Sequence, residues 1–250
     1  IKNTPLNMVT KNEIKFINSL KKKKSRDLND CFVVEGKKSI SEFINSNYDI
    51  VKLYSINKFF FKNIENHFQI DYKLLKKISS LINPEDHLAI FKKREIKSFD
   101  YNSLIIALES IRDPGNLGTI IRTCEWFGVK QIVCSKDSVD LYNPKVIQAS
   151  MGSFSRININ YLDLKPFLQA SNLEIFGTAL KGESIYGLKS KINSGILIFG
   201  NEANGISKEL LGIIDKKITI PRSKNQQFPE SLNLASSLAI FLSEIKGKFS

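Results

Sequence analysis

Three segments, far apart in the chain, set amides, a guanidinium and a carboxylate among glycines where apolar runs end. They are Asn116-Leu-Gly-Thr-Ile-Ile-Arg122, Ile198-Phe-Gly-Asn-Glu-Ala-Asn-Gly-Ile-Ser207, and Ile218-Thr-Ile-Pro221 followed after a polar loop by Ser231-Leu-Asn233. Groups of these types can position a substrate, assist loss of a proton and stabilise developing charge. In an open α/β sheet, ligands bind beyond the carboxyl ends of strands, so three such ends predict one shared site.

The local context assigns each polar residue an expected place. Asp113-Pro114-Gly115 reads as a turn, Asn116 as the N-cap of a helix, and Gly128 as its C-terminal stop. Arg122 follows nearly two turns after Asn116, so the two side chains are expected to look toward one end of the helix. It stands among Ile120, Ile121 and Cys124, where a long cation is costly without a partner. In an arbitrary protein a capping Asn and a solvated Arg would account for the pair. In the second segment a buried strand stops at Gly200, Glu202 lies just past it, Gly205 permits a tight bend, and Ser207 can cap the next helix. In the third, Ser231 reads as the N-cap of a helix with Leu232, Ala235, Ala239 and Leu242 on one stripe. Asn233, a poor helix former, then falls in the first turn. The glycines fit neither the G-x-G-x-x-G spacing nor a P-loop lysine motif, which argues against those nucleotide cradles.

Taken in order, the three segments resemble the signature motifs of the SpoU (TrmH-like) family of RNA 2'-O-ribose methyltransferases, in the SPOUT superfamily, over residues 113–235. The resemblance implies S-adenosyl-L-methionine as cofactor, lined by the backbone around Gly200, Ile220 and Leu232, and methyl transfer to a ribose 2'-OH with no metal. It implies a catalytic set of Arg122, Asn116, Glu202, Ser231 and Asn233. Arg122 is either the base or a clamp on the neighbouring phosphate that stabilises the developing alkoxide, since a guanidinium resists deprotonation. Glu202 would orient Arg122 or the backbone, and Asn116, Ser231 and Asn233 would order the site. A deep trefoil knot, otherwise forbidden by ordinary topology rules, and a homodimer paired through the knotted domain are further implications. One departure is Arg222-Ser-Lys-Asn-Gln-Gln-Phe228, longer than the family's loop and without its glycine. Phe32-Val-Val-Glu-Gly-Lys-Lys-Ser39 resembles the accessory substrate-binding domain of many such enzymes, which folds like a small ribosomal protein. That domain favours ribosomal RNA as the target, with tRNA the other candidate. The alternative is a non-catalytic RNA-binding or ribosome-assembly protein that retains the fold.

The elements that must position these residues follow from periodicity. Strands are expected at Leu104–Leu108, Gln131–Cys134, Ile157–Tyr161, Glu174–Thr178, Ile196–Phe199 and Ile218–Ile220, with helices at Leu117–Phe127, Lys208–Ile214 and Leu232–Ile245. This alternation predicts a mostly parallel sheet covered on both faces. Upstream, Lys11–Leu20 and Lys38–Ile44 read as helices, and Cys31–Glu35, Ile50–Ile56, Phe68–Tyr72 and Leu88–Phe91 as strands of a small α/β domain. The expected division of the 250 residues is a substrate-binding domain over 1–98 and a methyltransferase domain over 99–250. Residues 1–98 carry 20 Lys+Arg against 11 Asp+Glu, and residues 99–250 carry 17 against 14. A balance of +9 against +3 predicts that the first part recruits a polyanion. Cys31, Cys124 and Cys134 share no metal spacing and read as reduced, buried thiols of a cytoplasmic protein. No apolar run approaches the roughly 20 residues of a membrane helix, and no secretory signal is evident.

Overall fold

In the computed structural model, which describes residues 9–95, 97–188, 192–223 and 231–246, the chain begins with α1 (Lys11–Ser19), α2 (Lys23–Asn29), β1 (Cys31–Glu35), α3 (Lys37–Asn45), β2 (Ile50–Ser55), β3 (His67–Gln69), α4 (Tyr72–Ile78) and β4 (His87–Lys92). It continues through β5 (Leu104–Leu108), α5 (Pro114–Trp126), β6 (Gln131–Ser135), α6 (Pro144–Ser150), β7 (Asn158–Leu162), α7 (Leu164–Gln169) and β8 (Ile175–Ser184). The last elements are β9 (Gly195–Phe199), α8 (Lys208–Leu211), β10 (Lys216–Thr219) and α9 (Leu234–Lys246). Two compact units result: Ile1–Glu95 with Asp140–Ser155, and Ile96–Val139 with Arg156–Ser250. Residues 140–155, which a division at 98/99 leaves in the second domain, therefore pack within the first unit.

The first unit is a four-stranded sheet in the order β1-β4-β2-β3, antiparallel except for the β2/β3 pair. Alternate strand residues serve opposite faces. Val33, Tyr54, Leu88 and Ile90 join Ile17 and Leu20 of the N-terminal segment and Leu75 and Ile78 of α4 in one apolar cluster. Phe32 instead lies within about 6 Å, ring to ring, of Phe43, Phe91, Tyr142 and Phe154. Tyr142 and Phe154 belong to the 140–155 segment, and Arg26, only 2% exposed, pins its start. The guanidinium donates to Leu20 O and Lys21 O at 2.9 Å and pairs with the Asp140 carboxylate. This satisfies a charge whose burial would otherwise be costly. The strand expected at Phe68–Tyr72 ends at Gln69, because the Asp71 side chain accepts the Leu74 N–H at 2.7 Å and starts α4.

The second unit holds six parallel strands in the order β10-β8-β9-β5-β6-β7. Strands buried on both sides read as continuous apolar runs, and β5 and β9 are buried throughout. Ile105, Ala107, Ile196 and Ile198 pack with Leu164 and Leu168 of α7 and Leu210 of α8. Helices α5 and α9 pack on each other, and Phe241 meets Phe199 at 5.7 Å. The chain runs from β5 outward to β6 and β7, whereas β9 lies on the opposite side of β5. The sheet thus changes direction between β5 and β9, the position at which such sheets bind ligands. The three thiols are free and buried; burial pushes that of Cys134 up to about 12. Among the described residues no helix is long and apolar enough to cross a membrane.

Candidate active site

Helix α5 begins earlier than its sequence predicts. Pro114 has no N–H and a φ preset for the first helical position, so Asp113 takes the cap and accepts the Asn116 N–H at 2.7 Å. Asn116 is thus the third residue of the helix and not its N-cap, and its side chain is left to reach elsewhere. Its Nδ2 donates to Glu202 Oε1 at 3.0 Å, and its Oδ1 accepts from Asn233 Nδ2 at 3.0 Å. A chain of amide and carboxylate contacts therefore joins all three sequence segments.

The third segment differs from expectation in the same way. Helix α9 starts at Leu234, and Asn233 caps it: its Oδ1 accepts the Ser236 N–H at 3.2 Å and its carbonyl the Ser237 N–H at 2.8 Å. Ser231, expected to be the cap, lies outside the helix and is exposed. Asn is among the strongest N-cap residues, so the residue that looked misplaced in a first turn is the one that begins the helix.

Loop 200–205, which carries Glu202, is closed by Asn201, a residue the sequence reading did not single out. Asn201 and Gly205 exchange backbone hydrogen bonds at 2.9 and 3.0 Å. The Asn201 Oδ1 accepts from Ala203 N at 2.9 Å and Asn204 N at 3.2 Å, and its Nδ2 donates to Ser110 O at 2.7 Å, just past β5. An Asn directly after the glycine that ends a strand is the signal that could have found it, because Asn side chains fold back on their own loop. The turn is so tight that a Cβ on Gly200 would lie 2.1 Å from the Gly205 carbonyl carbon. Glu109 Oε2 accepts Ser207 N–H at 2.9 Å, and Ser207 Oγ accepts the Leu210 N–H at 3.3 Å, capping α8. That helix stops at Leu211, short of the expected Ile214.

Arg122 is exposed, contrary to its apolar sequence neighbours. Each helical residue turns about 100°, so Ile120, Ile121 and Cys124 point inward while Arg122 points out. Six residues separate it from Asn116, about 240° of rotation and about 9 Å of rise, so the pair does not share a face. Among the described residues no hydrogen bond or ion pair joins Arg122 to Glu202, which bonds Asn116 instead. Ile220, one residue past β10, is half-buried, and Leu232 is 49% exposed beside the Asn233 cap. Of the loop expected over 222–228, residues 224–228 lie outside the described residues, and among the described residues no acidic, histidine and cysteine cluster could hold a metal.

The SpoU rRNA methylase family model matches residues 103–243, and that of the MRM3-like substrate-binding domain matches residues 11–89. The Bacillus subtilis 23S rRNA (guanosine(2553)-2'-O)-methyltransferase RlmP is 30% identical over 167 residues, 66% of this chain and 62% of that protein. Human mitochondrial rRNA methyltransferase 3 is 27% identical over 162 residues, 56% of this chain and 37% of that protein. The chain thus spans less than two thirds of the length of either relative. A solved structure from Porphyromonas gingivalis, assigned to the TrmH family of RNA methyltransferases, aligns at a TM-score of 0.88 with 30% identity, covering 97% of this chain and 100% of that one. An AdoMet-bound rRNA methyltransferase from Sinorhizobium meliloti aligns at 0.85 with 27% identity, covering 97% of each chain.

Proposed function

The chain belongs to the SpoU rRNA methylase family, and on that premise we propose that it is an S-adenosylmethionine-dependent RNA methyltransferase acting on a ribose 2'-OH. Ribosomal RNA is the favoured target, with tRNA the other. The observation that carries this reading is the Glu202–Asn116–Asn233 network, which draws three distant segments into one site beyond the strand ends. When bound, S-adenosylmethionine supplies an electrophilic methyl group on a sulfonium. Gly200, Ile220 and Leu232 would hold it, the two apolar side chains facing adenosine.

The rest of the reaction falls to the chain's own groups. Glu202 fixes the Asn116 amide, and Asn116 fixes Asn233, so these side chains need not reorganise as the substrate arrives. Ser231 offers an exposed hydroxyl at the same edge. The planar, cationic set of donors of Arg122 suits the phosphate beside the reacting ribose. It stabilises the negative charge that develops on the 2'-oxygen as the hydroxyl proton passes to solvent water, and the adjoining residues order that oxygen. Arg122 lies outside its own chain's network, and Trp126, one turn further along α5, is 82% exposed. Both features support a homodimer paired along this face. The trefoil knot of the second unit, an RNA-binding first unit resembling a small ribosomal protein, and action in the cytoplasm belong to the same reading.

Calorimetry with S-adenosylmethionine and single-turnover methylation of ribosomal RNA fragments test it. Arg122→Ala and Arg122→Lys should both bind the cofactor as the parent does and fail to transfer methyl, since Lys cannot reproduce a bidentate grip. A parent that does not bind the cofactor, or a Lys variant with near-parental rates, would overturn the proposal.

A further inference from the structure

The loop between β2 and β3 exposes two adjacent aromatic rings. Phe59 is 75% and Phe60 57% exposed, although both are strongly apolar. The loop is held from below. The Phe61 ring meets the buried His87 ring at 5.4 Å, and the Phe61 carbonyl lies 3.1 Å from His67 Nδ1. His67 Nε2 in turn lies 2.6 Å from Ser55 Oγ, whose hydroxyl donates to Asn57 O. Gln69 Nε2 donates to Ile56 O at 3.1 Å. Phe59 and Phe60 are therefore presented outward by a braced loop.

Ammonium groups surround the rings. Lys37 Nζ sits 3.0 Å above the Phe60 centroid, Lys62 Nζ lies 6.0 Å from that of Phe59, and Lys58 directly precedes the pair. Across residues 57–66 Glu65 is the only acid, against Lys58 and Lys62. Flat π faces framed by cations match one class of ligand closely: an unpaired nucleotide, whose base stacks on an aromatic ring while lysines meet its phosphates. A lipid surface would also attract lysines, but this loop lies in the part of the chain with the +9 balance and within the match to a substrate-binding domain.

We propose that Phe59 and Phe60 form a stacking platform for unpaired nucleotides of the RNA substrate, with Lys37, Lys58 and Lys62 contacting the flanking phosphates. This rests on the RNA methyltransferase reading above and extends it. The first unit then selects RNA that carries an exposed single-stranded element, and does not select RNA by charge alone.

The test uses the full chain, with a hairpin RNA bearing an unpaired oligouridine loop and the matching fully paired duplex as probes. Phe59→Ala combined with Phe60→Ala should weaken hairpin binding roughly ten-fold or more and leave duplex binding within about two-fold. Because no charge is removed, the salt dependence should stay parallel to the parent's, whereas Lys58→Ala with Lys62→Ala should flatten it. Phe59→Trp should retain hairpin affinity, since it keeps a stacking face. Both rings are exposed, so melting and S-adenosylmethionine binding should be unchanged in every variant. Parental hairpin affinity in the double alanine variant, or equal losses on hairpin and duplex, overturns the platform while sparing the methyltransferase reading. Loss of binding to phosphatidylserine vesicles with RNA binding intact assigns the rings to a membrane surface and also overturns it. A parent that methylates no RNA overturns the methyltransferase reading, and the platform with it.

Discussion

Asn233→Ala is expected to lower stability and activity together, because one side chain both caps α9 and anchors Asn116. The cap consists of the 3.2 Å bond from Ser236 N–H to Asn233 Oδ1. Removing an N-cap side chain costs about 1 kcal/mol, and the high helix propensity of Ala gives nothing back at a position outside the helix. The lost bond to Asn116 is exposed, so water replaces it and at most about 0.5 kcal/mol is added. In a chain of this size about 1 kcal/mol corresponds to about 2–4 °C, so the melting temperature should fall by about 3–5 °C. Helix α9 itself should persist, since Leu238, Phe241, Leu242 and Ile245 remain buried. Asn233→Ser separates the two tasks: Ser caps about as well as Asn, yet cannot supply the amide donor to Asn116. That variant should melt within about 1 °C of the parent, whereas single-turnover methylation should fall about ten-fold or more in both variants, about 1.4 kcal/mol of transition-state stabilisation. Thermal melting and methyl transfer on the same preparations decide the matter. An alanine variant that melts at or above the parental temperature would refute the cap, and a serine variant with the parental rate would remove the amide link from the site.

Gly200→Ala forces a Cβ to within 2.1 Å of Gly205 backbone and should cost about 1–3 kcal/mol in a urea titration, with loss of methyl transfer as Glu202 moves; an unchanged urea midpoint would contradict the packing. Deleting residues 1–98 removes Arg26 from Asp140 and Phe32 from Tyr142 and Phe154, so the remaining chain should lose its cooperative melt and aggregate. A soluble, cooperatively melting fragment over 99–250 would show that those contacts are dispensable. His67 and His87 are held below an ordinary histidine's 6.5 chiefly by burial. The unfolded chain therefore takes up protons first, and the stability tied to the neutral rings is complete above about pH 6.5 and lost as pH falls below it. Melting should accordingly be lower at pH 5.5 than at pH 7.5, with a smaller difference in His87→Phe, and identical pH profiles for parent and variant would refute this.

The sheet of the second unit was legible from residue types alone. Runs such as Leu104–Leu108 and Ile196–Phe199 are apolar at every position, and only strands buried on both faces, or core helices longer than these, carry such runs. The short helices α2, α4, α6 and α7 were not legible, because six or seven residues barely complete two turns and show no periodicity against a lysine-rich background. Helix starts were misplaced where two capping residues compete within three positions. Asp113 prevails over Asn116 because proline follows it, and Asn233 prevails over Ser231 because its carbonyl and side chain both reach the first turn. Likewise Arg122 looked buried beside isoleucines, and only the helical azimuth turns it to solvent.

Sequence by itself determined which residues could do chemistry, since the types and spacing in the three segments are local properties, and so are strand runs and turns. Tertiary structure alone decided which of them meet. Asn116 bonds one residue 86 positions further along the chain and another 117 positions further along, and no local rule encodes those pairings. They follow from strand order, which sets the end of β9 beside that of β5, and from the packing of α9 on α5. The same long-range packing carries Asp140–Ser155 into the first unit, because a buried guanidinium at Arg26 needs the Asp140 carboxylate and the Phe32 ring needs aromatic neighbours to exclude water.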